Sequence, residues 1–153
     1  MHRWMPEEAD PFGADEAAAF VETATRGLAE GTTLAVAIAD AGSGRAIGSV
    51  TFHVWGPRHW NTGYWVSPQN RNRGVATATV SRLSRWAFSS TLELERLSLY
   101  TLPDNAASQK VAERASFRRE GLLRRWADIG GRQWDWLMYS LIREDLESIA
   151  GSD

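Results

Sequence analysis

Residues 64–87 constrain this chain more than any other stretch, because the pattern passes from strand to helix through a short run that suits neither. A strand ends at Val66 and Pro68 breaks it. Gln69-Asn70-Arg71-Asn72-Arg73-Gly74-Val75-Ala76-Thr77 then opens a helix predicted to run to about residue 89. The first turn of a helix has unpaired N–H groups and the positive end of the dipole. Gly74 has no side chain to hold a ligand away, Ala76 is small, and Arg71 and Arg73 add fixed positive charge. Together they suit a pyrophosphate. A glycine-containing helix start with solvated arginines has the same composition, so the junction alone leaves both readings open. Its spacing is neither G-x-x-x-x-G-K-[ST] nor G-x-G-x-x-G, which sets nucleotide hydrolysis and dinucleotide binding aside.

The remaining elements fall around this junction. A helix begins at Asp15, with Phe20, Ala24 and Leu28 on its apolar stripe and Gly31 as its stop. Residues 33–40 and 46–55 read as strands joined by a turn at 41–44, and 62–66 as a third strand. In the helix at 74–89, Ala76, Val80, Leu83 and Ala87 form the apolar stripe while Ser81, Ser84 and Arg85 face out. Residues 96–101 are a strand. A helix opens at Pro103-Asp104 and runs to Ala115, with Ala107, Val111 and Ala115 at helical spacing, and strands at 117–129 and 133–142 join through Gly130-Gly131. This is an α/β chain with a mixed sheet that combines hairpins and helix crossovers. No repeat or linker divides it, so 1–153 is expected to form one domain.

Composition excludes several classes. A formal charge of -2 argues against nucleic acid as a partner. There is no cysteine, hence no disulfide and no thiolate nucleophile or metal ligand. His2, His53 and His59 are too few and scattered for a structural zinc site, so no metal is expected. No apolar run nears the roughly 20 residues of a membrane helix and the start carries no signal-peptide core; a cytoplasmic protein is the default expectation.

Arg71-Asn72-Arg73-Gly74-Val75-Ala76 resembles the Q/R-x-x-G-x-G/A acetyl-CoA motif of the GNAT acetyltransferases. Gly63-Tyr64-Trp65-Val66-Ser67-Pro68 is similar to the GYW-x-x-P strand of the branch that includes the RimJ/RimL-type ribosomal-protein N-terminal acetyltransferases. Asn105-Ala106-Ala107-Ser108, the run from Val111 through Phe117, Glu120-Gly121, and the ending Met138-Tyr139-Ser140-Leu141 resemble that branch's later motifs, in order, over about residues 15–145. The resemblance implies a strongly twisted mixed sheet whose central parallel strands, 62–66 and 96–101, splay around the pantetheine arm. It implies that the backbone of Trp65 and Val66 pairs with that arm. The N–H groups of Arg71, Asn72, Arg73, Gly74, Val75, Ala76 and Thr77 would hold the pyrophosphate, and Asn105 would bond the arm. The implied activity is transfer of an acetyl group from acetyl-CoA to a primary amine, of a protein N-terminus or a small molecule, by direct attack in a ternary complex. The alternative is a non-catalytic acyl-CoA-binding module or sensor.

Several positions depart from the family's pattern. The stretch from Ala112 to Phe117 has no tyrosine to act as the general acid, and the RimL-type pattern points instead to Ser108, which also reads as a polar residue near a helix cap. Asn61 stands where related sequences carry a carboxylate before GYW, and Ala127 where they carry a glutamate. Asp128, beside Ala127, points to the other strand face unless a bulge intervenes. His53 and Asp128 are the candidate bases, with water-relayed deprotonation as the other route. The family usually has a strand and helix before the point where the pattern begins here. Either a reduced acceptor side or a partner that supplies the missing wall is therefore expected, and an exposed sheet edge would then favour a homodimer. Among eight tryptophans, Trp55, Trp60 and Trp65 flank the acetyl site and are candidates for an aromatic wall, against the usual role of Trp in cores. Arg114, Arg118, Arg119, Arg124 and Arg125 read as a solvated face, or as attraction for an acidic partner.

Overall fold

The computed structural model describes residues 14–89 and 92–150. The elements in chain order are α1 (Ala14–Ala29), β1 (Thr33–Ala39), β2 (Ala46–Gly56), β3 (His59–Val66), α2 (Val75–Ser89), β4 (Arg96–Thr101), α3 (Ala106–Arg114), β5 (Arg118–Ile129), β6 (Arg132–Ile142) and α4 (Arg143–Ala150), with a short 3-10 turn at Pro68–Asn70. The strands form one sheet in the order β1-β2-β3-β4-β6-β5. Every neighbouring pair is antiparallel except β3 and β4.

Alternation along the strands divides the sheet into two faces. Val50, Phe52 and Trp60 on β2 and β3, Leu97 and Leu99 on β4, and Leu137, Tyr139 and Leu141 on β6 turn to one side. There they meet Val80, Ala87 and Phe88 of α2 and Ala112 and Ala115 of α3. Burying each large apolar side chain contributes about 1.5–3 kcal/mol, so this layer carries most of the hydrophobic stabilisation. The opposite face is richer in polar groups and aromatic rings.

Several sequence expectations change. Ser84 faces inward and is only 1% exposed, because the contact stripe of α2 runs through Val80, Ser84, Ala87 and Phe88. On α3, Ala107 is exposed and Ala112 takes the inward place. The stripe of α1 is not a core stripe: Phe20 is 37% and Leu28 59% exposed. This helix meets β1 through Gly27, where an added Cβ would lie 2.6 Å from Thr33 Cβ. Strand β3 begins at His59, three residues earlier than expected, because Gly56 pairs with His59 across a tight turn. Helix α3 starts at Ala106 with Asn105 as its cap. Helix α4 was not anticipated; Asp145 holds it by accepting from the Ile142 N–H at 3.2 Å and pairing with Arg118 at 2.8 Å. Trp60 is buried at 8% exposure and belongs to the core, whereas Trp55 stays exposed. Residues 1–13, including His2 and Trp4 and the reading of a reduced N-terminal region, lie outside the described residues. Among the described residues no helix is long and apolar enough to cross a membrane.

Candidate active site

The loop between β3 and α2 is built from local bonds. The Asn70 side-chain amide donates to Ser67 Oγ at 2.9 Å, and Arg71 Nε donates to the Val66 carbonyl at 3.0 Å, folding the loop back on the strand end. Asn72 and Gly74 both sit at positive φ, 59° and 76°. Asparagine and glycine tolerate that region best, which explains their places here. The helix closes with the Ala78 N–H on the Gly74 carbonyl at 2.9 Å. The N–H groups of Val75, Ala76 and Thr77 therefore have no carbonyl four residues back to pair with. No acidic residue lies in this first turn. The backbone thus offers donors to an anion, and the space beside Gly74 is open. Arg73 donates to Asn70 Oδ1 at 3.1 Å and borders a cavity of about 220 Å³ shared with Asp40, Ala41 and Val75.

Strands β3 and β4 pair only from His59 with Arg96 to Thr62 with Leu99, and beyond that no pairing joins them. Ser67 N–H donates to the Ile47 carbonyl, and Ser49 pairs with Trp65. In an antiparallel ladder the peptide groups of successive residues alternate in direction. The Trp65 peptide therefore turns to β2, while those of Tyr64 and Val66 face the opening beside β4. Gly48 permits the close β2–β3 spacing, since a Cβ there would lie 2.4 Å from the Trp65 carbonyl oxygen. Of the two expected pantetheine partners only Val66 is turned to the opening, and its carbonyl already accepts from Arg71.

On the helix side of the opening stand Asn105 and Ser108. Asn105 Oδ1 accepts from the Ser108 N–H at 3.1 Å, so the asparagine caps α3. The Tyr64 hydroxyl donates to Ser108 Oγ at 3.0 Å.

The other face carries a second group. Register aligns Thr33, His53, Asn61, Ser98 and Ser140 in one row across β1, β2, β3, β4 and β6. His53 is exposed, with Nδ1 3.4 Å from Thr33 Oγ1. Asn61 Oδ1 is buried without a partner. His59 Nε2 lies 2.8 Å from the buried Ser98 Oγ. Glu120 accepts from Arg96, at 2.9 Å to Oε1, and from Ser140. The Arg96 guanidinium first, then Ser140, holds the Glu120 carboxyl below its usual range. Partial burial first, then Arg96, holds His59 below the ordinary 6.5, so the ring is neutral at neutral pH. Trp55 lies 5.5 Å from Tyr100 and 5.6 Å from His59, and Tyr100 lies 6.3 Å from Trp126 with near-parallel rings. Trp55 and Trp126 are about half exposed, at 51% and 56%. Among the described residues no cluster of metal-ligating side chains occurs.

Not every expected residue joins these groups. Asp128 pairs with Gln133 on the edge strand, and Ala127 with Trp134. A bulge does interrupt β5 between Leu123 and Ala127. Counting along unbulged β6 from the inward Leu137, Gln133 and its partner Asp128 face the helices, not the polar face. His59, Ser98, Arg96, Glu120, Tyr64, Tyr100 and Trp126 were not singled out from sequence as site residues. For His59 a signal existed: Gly56-Pro57 closes a hairpin, and two residues before Asn61 is the same strand face.

Known proteins resemble this chain in sequence and in fold. The profile of the acetyltransferase (GNAT) domain matches residues 1–118. The chain is 29% identical over 99 residues to the uncharacterized N-acetyltransferase YoaA of Bacillus subtilis (strain 168), covering 63% of this chain and 55% of that protein. It thus spans about half the length of that curated relative. The fold matches RimJ of Mycobacterium smegmatis, solved in complex with CoA-disulfide, at a TM-score of 0.80 and 23% identity, over 97% of this chain and 76% of that one. It also matches the ribosomal-protein-S5-alanine acetyltransferase of Vibrio fischeri at a TM-score of 0.78 and 20% identity, over 93% and 79%.

Proposed function

The chain belongs to the GNAT acetyltransferase family, and from that premise we propose that it transfers the acetyl group of acetyl-CoA to a primary amine. The observation that carries this reading is the pairing of two features: a helix start with unpaired N–H donors and no acid, and a parallel strand pair that parts beside it. The N–H groups of Val75, Ala76 and Thr77, with Arg71 and Arg73 as flanking charge, hold the pyrophosphate. The pantetheine arm lies in the opening, with its thioester near Val66, whose N–H faces inward as an oxyanion donor. Asn105 and Ser108 border the arm on the helix side.

The amine approaches from the polar face. His59, neutral and bound through one ring nitrogen to Ser98, sits seven strand residues, roughly 23 Å, short of Val66, so it receives the amine's proton through a chain of waters. The C–N bond forms, the C–S bond breaks, and Ser108 protonates the departing sulfur. His59 replaces His53 and Asp128 as the final acceptor of that water-relayed proton in this reading, because it lies on the strand that borders the opening and is already oriented by Ser98. Trp55, Tyr100 and Trp126 wall the acceptor. A peptide N-terminus is the first acceptor to test, since RimJ and the S5-alanine enzyme share the fold.

Calorimetric titration with acetyl-CoA tests the donor half. Micromolar binding is expected, and Arg73→Glu should weaken it about tenfold by reversing charge at the pyrophosphate. No binding at millimolar ligand would end the proposal. Thiol release with a panel of N-terminal peptides and small amines tests transfer; binding without release would identify an acyl-CoA sensor instead.

A further inference from the structure

Tyr64 stands on the unpaired end of β3 and reaches across the opening to α3. Its hydroxyl lies 3.0 Å from Ser108 Oγ, and the ring packs against the core. Of the two hydroxyls the phenol is the stronger acid and so the natural donor. Ser108 Oγ is then an acceptor from Tyr64, and its own proton is left for a third group. No acceptor for that proton occurs among the described hydrogen bonds. The backbone N–H of Ser108 is separately bound by Asn105, which fixes the residue at the first turn of α3.

This arrangement meets a chemical need. A thiol ionises near 8.5, a phenol near 10, and an alkyl hydroxyl far higher. A serine alone is therefore far too weak an acid to neutralise a thiolate, whereas a phenol is much the nearer match.

We propose that Tyr64 is the proton source for the leaving thiolate, acting through Ser108. The inference rests on the acetyl-transfer reading above. As the C–S bond breaks, the sulfur takes the Ser108 Oγ proton, and Ser108 Oγ takes the Tyr64 hydroxyl proton in the same movement. Serine ends as it began, the sulfur ends as a thiol, and the Tyr64 phenoxide recovers a proton from water once the products leave. Burial holds the phenol above its ordinary 10, so it enters each cycle protonated at neutral pH.

The test is Tyr64→Phe in the full chain, which keeps the ring. Thiol release is followed with acetyl-CoA and the fastest amine of the peptide panel, beside Ser108→Ala and the double variant. The expected loss in kcat for Tyr64→Phe is about 10²-fold, the lower end for a general acid, with KM for acetyl-CoA and the melting temperature little changed. The fall in kcat at alkaline pH that reports the phenol should disappear. The double variant should be no slower than Ser108→Ala alone, as for two parts of one relay. A kcat within twofold of wild type, a retained alkaline limb, or losses that multiply in the double variant would overturn the relay and leave the acetyl-transfer reading standing. Absence of thiol release in the wild type would overturn both.

Discussion

At the scale of single residues, several buried polar atoms have no hydrogen-bond partner among the described residues, Ser84 Oγ, Thr62 Oγ1 and Tyr139 Oη among them. Ser84 is 1% exposed, and its Oγ has no hydrogen-bond partner. A buried, unsatisfied hydroxyl costs about 1–3 kcal/mol. Alanine fits the same volume without that cost and is the better helix former. Ser84→Ala should therefore raise stability by about 1 kcal/mol or more, seen as a higher urea midpoint with an unchanged slope. An unchanged or lowered midpoint would mean that the hydroxyl has a partner. The helical pattern placed Ser84 outside because serine is polar, and only the packing of α2 over the sheet reveals that its neighbours Val80, Ala87 and Phe88 draw it inward. His59 follows the same logic. Its identity was plain, but its role needed the pairing of β3 with β4 to set it beside Ser98.

At the scale of elements, the β2–β3 spacing shapes the opening. A Cβ on Gly48 would lie 2.4 Å from the Trp65 carbonyl oxygen, a backbone atom that moves only with the strand. Nothing lies within 4 Å of a Cβ on Gly63, on the same strand pair. Gly48→Ala should cost about 1–3 kcal/mol by overpacking and, by pushing the end of β3 toward the opening, weaken acetyl-CoA binding. Gly63→Ala should cost less than about 1 kcal/mol. Denaturant titrations of the two variants check the contrast, and equal losses would mean that the strand relaxes freely. Most of these elements were legible from period alone: β1, β2, β4 and the two long C-terminal strands alternate or end in glycine turns, and α2 follows a break at Pro68. Two features were not. The start of β3 depends on pairing with Gly56, and α4 is an eight-residue helix held by Asp145 contacts to Ile142 and Arg118, which its own pattern does not encode.

At the scale of the whole molecule, the donor and acceptor halves differ in how far apart their residues lie in sequence. Residues 71–77 form one local motif, and Asn105 and Ser108 another, so the proposed donor half rests on residues that lie close together in sequence. The polar face gathers His59, Arg96, Ser98, Glu120 and Ser140 from four strands, and its geometry exists only once the sheet order is known. The fold also makes stability depend on pH. Burial holds His53 and His59 below 6.5 in the fold, so the unfolded chain binds their protons more tightly. Their contribution is full above 6.5 and falls as the pH drops through and below that value. Glu120 is held below its ordinary 4.5 by Arg96 and Ser140, so its contribution is present above 4.5 and is lost as the pH falls through its lowered value. Tyr64, Tyr100 and Tyr139 are raised above 10 by burial, and their contribution is present below 10 and lost above it. The urea midpoint should therefore be flat between about pH 7 and 9, fall in two acid steps, and fall again in alkali. Each proton of difference changes stability by about 1.4 kcal/mol per pH unit. Replacing His59 with Gln should shrink the upper acid step and leave the lower one; Glu120→Gln should do the reverse. A midpoint that rises on acidification from 7 to 5 would contradict the lowered proton affinity of both histidines.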